Sequence, residues 1–461
     1  MKIGFASYLC MYLLFSGHIQ AQSFLPSPYP DRVILSWQED PVHTQAVSWR
    51  TDTSIAEGFG QIAEADASPD FRSTSTNYQA VRSDFDHGGV QAHYFSINFT
   101  DLKPSTKYAY RVGQGKQWSE WFHFSTASES PKAFSFIYFG DAQNDLKSMW
   151  SRAIREAVLQ APRASFMLHA GDLVNRADSD REWGEWFYAG GWIYGMIPSL
   201  ATPGNHEYYK DPESEQRVLT PQWKPSFAFP QNGPEDFEES VYYIDYQGAR
   251  IISLNSMAMM LDEVAFYKQK NWLEKVLQNN PQKWTIIMHH HPIYSAGKGR
   301  DNSRFRVELQ PIYKRYGVDL VLQGHDHTYA RGGNFPLGKQ VREDAGPVYV
   351  VSVSGPKMYE SAMSEWMDRI AMNTQLFQLI DVKKSQLNYR AYTVTGELYD
   401  AFFLQKRADG TNIFVDERPA DVPERIELPE RIQKRMTEEL KADFDERFRQ
   451  FKLRRKAVGK N

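Results

Sequence analysis

Five short segments concentrate the residues that could do chemistry. They are Gly140-Asp141-Ala142-Gln143, Gly171-Asp172-Leu173-Val174-Asn175, Gly204-Asn205-His206-Glu207, Met288-His289-His290-His291-Pro292 and Gly324-His325-Asp326-His327. Carboxylates, an amide oxygen and imidazoles without sulfur suit hard or borderline metal ions. One carboxylate can bridge two ions, and a pair about 3.5–4 Å apart can clamp both oxygens of an in-line displacement while lowering the pKa of bound water from about 16 to about 7. Taken singly, an Asp or His after a strand is more often a cap, a turn or a satisfied polar core residue. Five such segments in series, each after an apolar run, favour a binuclear site.

The elements that must position these residues change character along the chain. Between residues 32 and 125, short β-type runs alternate with turns and place apolar residues at every second position, which predicts an antiparallel β-sandwich. Leu102, Pro104, Thr106, Tyr108, Tyr110 and Val112 resemble the tyrosine-corner region of fibronectin type III domains. A polar hinge over residues 127–132 follows. Apolar runs then alternate with helical stretches, the rhythm of a layered α/β domain whose ligands gather at the carboxyl ends of strands. After about residue 401 this rhythm fades, and residues 424–460 are dominated by Glu, Lys and Arg, which predicts a solvated helix or tail. The domain plan is therefore a leader over 1–22, a sandwich over 23–127, a catalytic domain over 132–400 and a charged, helical extension over 401–461.

A chain of 461 residues is long enough for two domains. Its net charge of −4, from 53 Lys+Arg against 57 Asp+Glu, supplies no field that would hold a polyanion, so nucleic acid is not an expected partner. Lys2, an apolar run over residues 3–15 and Ile19-Gln20-Ala21 read as a cleaved export leader, giving a periplasmic, cell-surface or secreted protein. The apolar run is shorter than the roughly 20 residues of a spanning helix. Cys10, the one cysteine, falls inside the leader, so a mature chain would have neither a disulfide nor a thiolate ligand.

In order and placement, the five segments resemble the metallophosphoesterase signature as found in purple acid phosphatases, over roughly residues 23–400. The resemblance implies a fibronectin III-like β-sandwich followed by an αββα metallophosphoesterase domain that hydrolyses phosphate monoesters. Carried over residue by residue, it implies Asp141, Asp172 and His327 around a first metal. Asp172 bridges to a second metal held with Asn205, His290 and His325. His290 is chosen because it stands two positions before Pro292, with His289 and His291 as the alternatives. His206 matches the non-ligand histidine that contacts the phosphate or leaving group. The two ions would be iron, zinc or manganese.

One departure stands out. The family carries a metal-bound tyrosine three residues after the bridging Asp, where this chain has Asn175, and other metallophosphoesterases place a ligand His where Gln143 stands. Gln143, Asn175 or water would complete the first site, and no tyrosinate-to-iron colour is expected. Glu207 and Tyr208 are candidates for shaping the substrate pocket, alongside loops over 176–192, 208–234 and 295–306. The substrate is expected to be a phosphorylated small molecule. A phosphodiesterase or nucleotide pyrophosphatase could use the same machinery, and a surface scaffold with a vestigial metal domain is the reading of another class.

Overall fold

A computed structural model describes residues 24–334 and 337–457. The expected leader lies outside the described residues. The amino-terminal domain is a sandwich of two antiparallel sheets. One runs Asp31–Ser36, Gln45–Thr51, Val90–Phe99, Val81–His87; the other runs Thr76–Gln79, Phe59–Glu64, Lys107–Gln114, Gln117–Trp118, with Phe122–Ser125 also paired to Lys107–Gln114. The alternation read in the sequence is the inward row: Leu35, Val47, Trp49, Phe95 and Ile97 meet Ile62, Tyr110, Val112 and Phe124. The Tyr108 hydroxyl accepts the Lys103 backbone N–H at 2.8 Å, which pins the corner before its strand.

Two further sheets face each other in the second domain. The first is ordered Ser199–Ala201, Met167–His169, Phe134–Phe139, Leu376–Val382, Gln386–Thr393, Leu398–Lys406, Asn412–Asp416, Val341–Ala345. The second is ordered Tyr242–Tyr246, Ala249–Leu254, Trp284–His289, Leu320–Gln323, Val348–Val351, Tyr329–Gly332, Met367–Ala371. Their site-bearing strands are parallel to one another within each sheet. Both faces are buried, which is why these strands read as continuous apolar runs. Ile286, Met288, Leu320, Leu322, Val348 and Val350 point between the sheets. Ile287, Val321 and Tyr349 point outward onto Phe266, Leu273 and Ile312 of the helices Glu263–Gln278 and Gln310–Arg315. The helix Ser151–Gln160 lies against the strand Leu376–Val382 of the other sheet. This is the αββα layering expected.

The boundary at residue 400 needs correction. Leu398–Lys406 and Asn412–Asp416 are strands of the first sheet, so that sheet continues through the break in sequence rhythm. Arg331, at the end of the last motif, is fully buried, and its guanidinium is held by Asp400 at 2.7 Å and Asp416 at 3.3 Å. Asp416 therefore belongs to the catalytic core. Beyond it the chain is helical as expected, at Glu430–Gln433 and Glu438–Ala457, but the latter is no free tail: Phe444 and Phe451 are buried in the second core. Among the described residues no helix is long and apolar enough to cross a membrane.

Candidate metal centre

Each motif follows a strand by one to four residues: Phe134–Phe139 leads to Asp141, Met167–His169 to Asp172, Ser199–Ala201 to Asn205, Trp284–His289 to His290, and Leu320–Gln323 to His325 and His327. Parallel strands end at one rim, so residues far apart in sequence meet. Two adjoining groups result. In one, ligand atoms of Asp141, Asp172 and His327 all lie within 4.8 Å of one another; in the other, those of His290, His291 and His325 do. His290 Nε2 joins the groups, 3.3 Å from Asp172 Oδ2, 3.1 Å from Asn205 Oδ1 and 3.2 Å from His325 Nδ1. Asn205 Oδ1 is also 2.9 Å from His325 Nδ1.

Of the motif glycines, Gly171 turns the chain at a φ of 84°, whereas Gly204 and Gly324 serve packing. A Cβ on Gly204 would meet Asp172 Oδ1 at 2.2 Å, and one on Gly324 would meet Asp141 Oδ1 at 2.2 Å. The carboxylates occupy the space a side chain would take. Ligands also take part in the turning: Asp172, His325 and His327 have φ of 51°, 74° and 47°. Non-glycine residues held there are strained, and such strain concentrates at functional sites.

Supporting contacts fix the donor atoms. His290 Nδ1 faces the Ala170 carbonyl at 2.8 Å and His327 Nδ1 faces the Lys357 carbonyl at 3.0 Å, which leaves both Nε2 atoms for the site. Burial pushes the Asp141 carboxyl up to about 7 against the opposing charge of His290. Burial also works against ionised Asp172, but His290, His206 and His325 outweigh it and hold that carboxyl well below the usual range. His290 goes the other way: burial opposes its charge, yet Asp172 and Asp141 raise it to about 9. Asp141 Oδ2 is buried without a hydrogen-bond donor, 3.3 Å from His327 Nε2. An orphaned carboxylate oxygen among imidazoles and carboxylates is what a cation site needs.

The structure brings Asp141, Asp172, Asn205, His290, His325 and His327 together. Of the histidine run, His289 turns outward with Ile287, toward Phe305 and Tyr313 of the helix layer. His291 stays at the site beside His290, its ring 4.3 Å from that of His325. Gln143 is buried in the first group, Nε2 2.6 Å from Asp172 Oδ2 and 3.2 Å from His327 Nε2. Asn175 is tied in through its backbone: its N–H donates to Glu182 and its carbonyl faces His206 Nδ1 at 2.6 Å.

Glu207 and Tyr208 correct the expectation of pocket-lining roles. Glu207 is fully buried, and its carboxylate accepts the backbone N–H groups of Asp172, Leu173, Val174 and Gly204. It clamps the two ligand loops from behind. Tyr208 is buried with its hydroxyl on Asn255. Alternation gave no sign of this, because Glu207 ends a short helical turn, Asn205–Glu207, and Tyr208 begins a three-residue strand, Tyr208–Lys210. Arg300 comes from the expected loop 295–306, whereas Lys357 and Tyr359 lie outside the expected loops. The Tyr359 ring packs edge-on to His327 at 4.7 Å, with the Arg300 guanidinium 5.0 Å above it. The one signal in sequence for Lys357 and Tyr359 is a sixth strand, Val348–Val351, delivering its carboxyl end to the same rim.

Residues 134–329 match the calcineurin-like phosphoesterase family, and residues 30–126 match the purple acid phosphatase N-terminal domain. Among curated relatives, the chain is 26% identical to mouse (Mus musculus) acid phosphatase type 7 over 75% of this chain and 82% of the relative. Against the human (Homo sapiens) protein of that name it is 27% identical over 76% and 83%. Among solved structures it is similar in fold to a purple acid phosphatase from yellow lupin (Lupinus luteus) seeds, with a TM-score of 0.67 and 19% identity over 83% of this chain and 75% of that one.

Proposed function

Since the chain belongs to the metal-dependent phosphoesterases, pairing a purple acid phosphatase N-terminal domain with a calcineurin-like phosphoesterase domain, we propose that it hydrolyses phosphate monoesters at the rim described above. The observation that carries this reading is the pair of adjoining ligand groups joined by His290 and Asp172. Asp141, Asp172 and His327, with Gln143 beside them, would hold one ion. Asp172, Asn205, His290 and His325, with His291 beside them, would hold the other. Such a pair of cations supplies an activated water and neutralises charge on the phosphoryl oxygens.

The chain's own residues do the rest. His206 is held twice: its backbone N–H donates to Asp172 Oδ1 at 2.8 Å and its ring Nδ1 faces the Asn175 carbonyl at 2.6 Å. That leaves Nε2 to hydrogen-bond a phosphoryl oxygen or pass a proton to the leaving oxygen, a role worth about 10²–10⁴-fold. Two divalent ions against two ligand carboxylates leave the site positive, which favours an anionic ester over a neutral one. Neutral Asn175 and Gln143 in place of a tyrosinate favour divalent ions in both positions, drawn from iron, zinc or manganese. Export, and with it a periplasmic, cell-surface or secreted location, rests on the leader pattern of residues 1–22.

Elemental analysis of the purified protein, beside rates on a nitrophenyl monoester and the matching diester, tests the proposal. We expect about two metal atoms per chain, no strong visible band and faster monoester cleavage. Asp172→Asn should lose both metal and turnover. A metal-loaded, fully active Asp172→Asn protein would remove the bridging carboxylate from the mechanism, and diester preference would reassign the substrate class.

A further inference from the structure

Lys357 stands outside every ligand assignment above. It follows Gly355-Pro356 beyond the strand Val348–Val351, and its backbone carbonyl orients His327. Its ammonium turns into the site, 3.4 Å from Gln143 Oε1, and among the described residues it forms no ion pair with a carboxylate. Its charge reaches both Asp141 and His327. Arg300, the neighbouring cation across Tyr359, is differently committed, since its Nη1 donates to the His325 carbonyl at 3.1 Å and to Asp326 Oδ1 at 3.2 Å. Arg300 positions the last motif, whereas Lys357 has a charge to offer a ligand.

The placement of that charge is informative. The His206 backbone N–H donates to Asp172 Oδ1, and Gln143, with Lys357 behind it, approaches at Oδ2. A phosphoryl group seated over Asp172 would thus have His206 on one side and the Lys357 ammonium on the other. A monoester dianion presents unesterified oxygens to both. A diester carries one negative charge fewer and must put an organic group in one of those directions. We propose that Lys357 binds an unesterified phosphoryl oxygen of the substrate and selects monoester dianions over diesters. The inference rests on the phosphoesterase reading and adds the residue that sets substrate class within it.

The test uses the metal-loaded protein with Lys357→Met and Lys357→Arg. Binding of inorganic phosphate, measured by calorimetry, is read beside kcat/KM on the nitrophenyl monoester and diester, with metal content checked in each variant. Loss of one charge-assisted hydrogen bond should weaken phosphate binding and monoester kcat/KM by about 10- to 100-fold in Lys357→Met, leave the diester within about 3-fold, and be largely restored in Lys357→Arg. Unchanged phosphate affinity, equal losses on both esters, or loss of metal would overturn the proposal. The last would show that Lys357 only balances buried carboxylates. Because phosphate binding is read without turnover, a wild-type protein that hydrolyses neither ester would sink the phosphatase reading while still judging Lys357.

Discussion

Several side chains at the rim are kept in states that water would not favour, and His169 shows this most simply. It ends the strand that leads to Asp172, fully buried among Phe139, Trp150 and Trp186, and neither ring nitrogen has a hydrogen-bond partner. Burial pushes its pKa down from 6.5 to about 3. The unfolded chain therefore binds a proton below pH 6.5 that the folded chain refuses. This contribution to stability is fully present above 6.5 and is lost as pH falls toward about 3, with a slope of up to about 1.4 kcal/mol per pH unit. His169→Phe keeps the aromatic packing and removes the proton. Its melting temperature relative to wild type should rise progressively as pH is lowered from 6.5 to 4; an equal offset at every pH would show that protonation of His169 has no part in acid sensitivity.

The last helix, Glu438–Ala457, behaves as a strap over the substrate side of the rim. Phe444 and Phe451 anchor it in the second core. From it Asp443 reaches Lys298 at 2.9 Å, Arg447 binds Glu360 and the Ser361 carbonyl, and Arg454 donates to the Met363 carbonyl at 2.6 Å. Just before it, Arg431 donates to the Met358 carbonyl and lies over the Tyr359 ring. These contacts fall on the two loops that carry Arg300 and Lys357. Arg447→Ala should loosen the loop without touching a metal ligand. Steady-state kinetics should show KM for the monoester rising about 3- to 10-fold with kcat nearly unchanged and metal content intact, as a partial loss of one charge-assisted contact implies. A fall in kcat at constant KM would mean that the strap serves the chemistry rather than binding.

Over the whole molecule, the sandwich is bound to the catalytic domain by a buried charge cluster. Arg50, fully buried, pairs with Asp31 at 2.7 Å and with Asp180 of the catalytic domain at 3.1 Å; Arg32 reaches the same Asp180 at 2.7 Å. Tyr110 donates to the Gly195 carbonyl and Ser36 to the Ala228 carbonyl across the same interface. Removing a partner from a buried pair costs roughly 3–5 kcal/mol because it strands a charge. Asp180→Ala should therefore lower stability by roughly 3 kcal/mol, the low end since Asp31 remains on Arg50. Wild-type protein should melt in a single calorimetric transition; two separate transitions would mean that the interface does not couple the domains.

The order of layers and the ligand residues were legible in sequence because both depend on local pattern. Strands buried on two faces are continuous apolar runs, sandwich strands alternate, and glycine directly precedes Asp141, Asp172, Asn205 and His325. That pattern marked the five segments, and the family resemblance picked Asp141, Asp172, Asn205, His290, His325 and His327 within them and divided them between two ions. What tertiary structure decided is everything set by contact across distant segments. Only the close approach of Asp172 to Gly204, and of Asp141 to Gly324, explains why those glycines have no side chain. Strand alternation sends His289 to the helices, while the chain beyond the strand end keeps His290 and His291 at the rim. Glu207 looked like a pocket residue and is a clamp, since its partners lie more than 30 positions away apart from Gly204. The strands after residue 400 were lost to the sequence reading because their clearest tie to the core, Asp400 and Asp416 on Arg331, is a long-range charge contact that no local window contains.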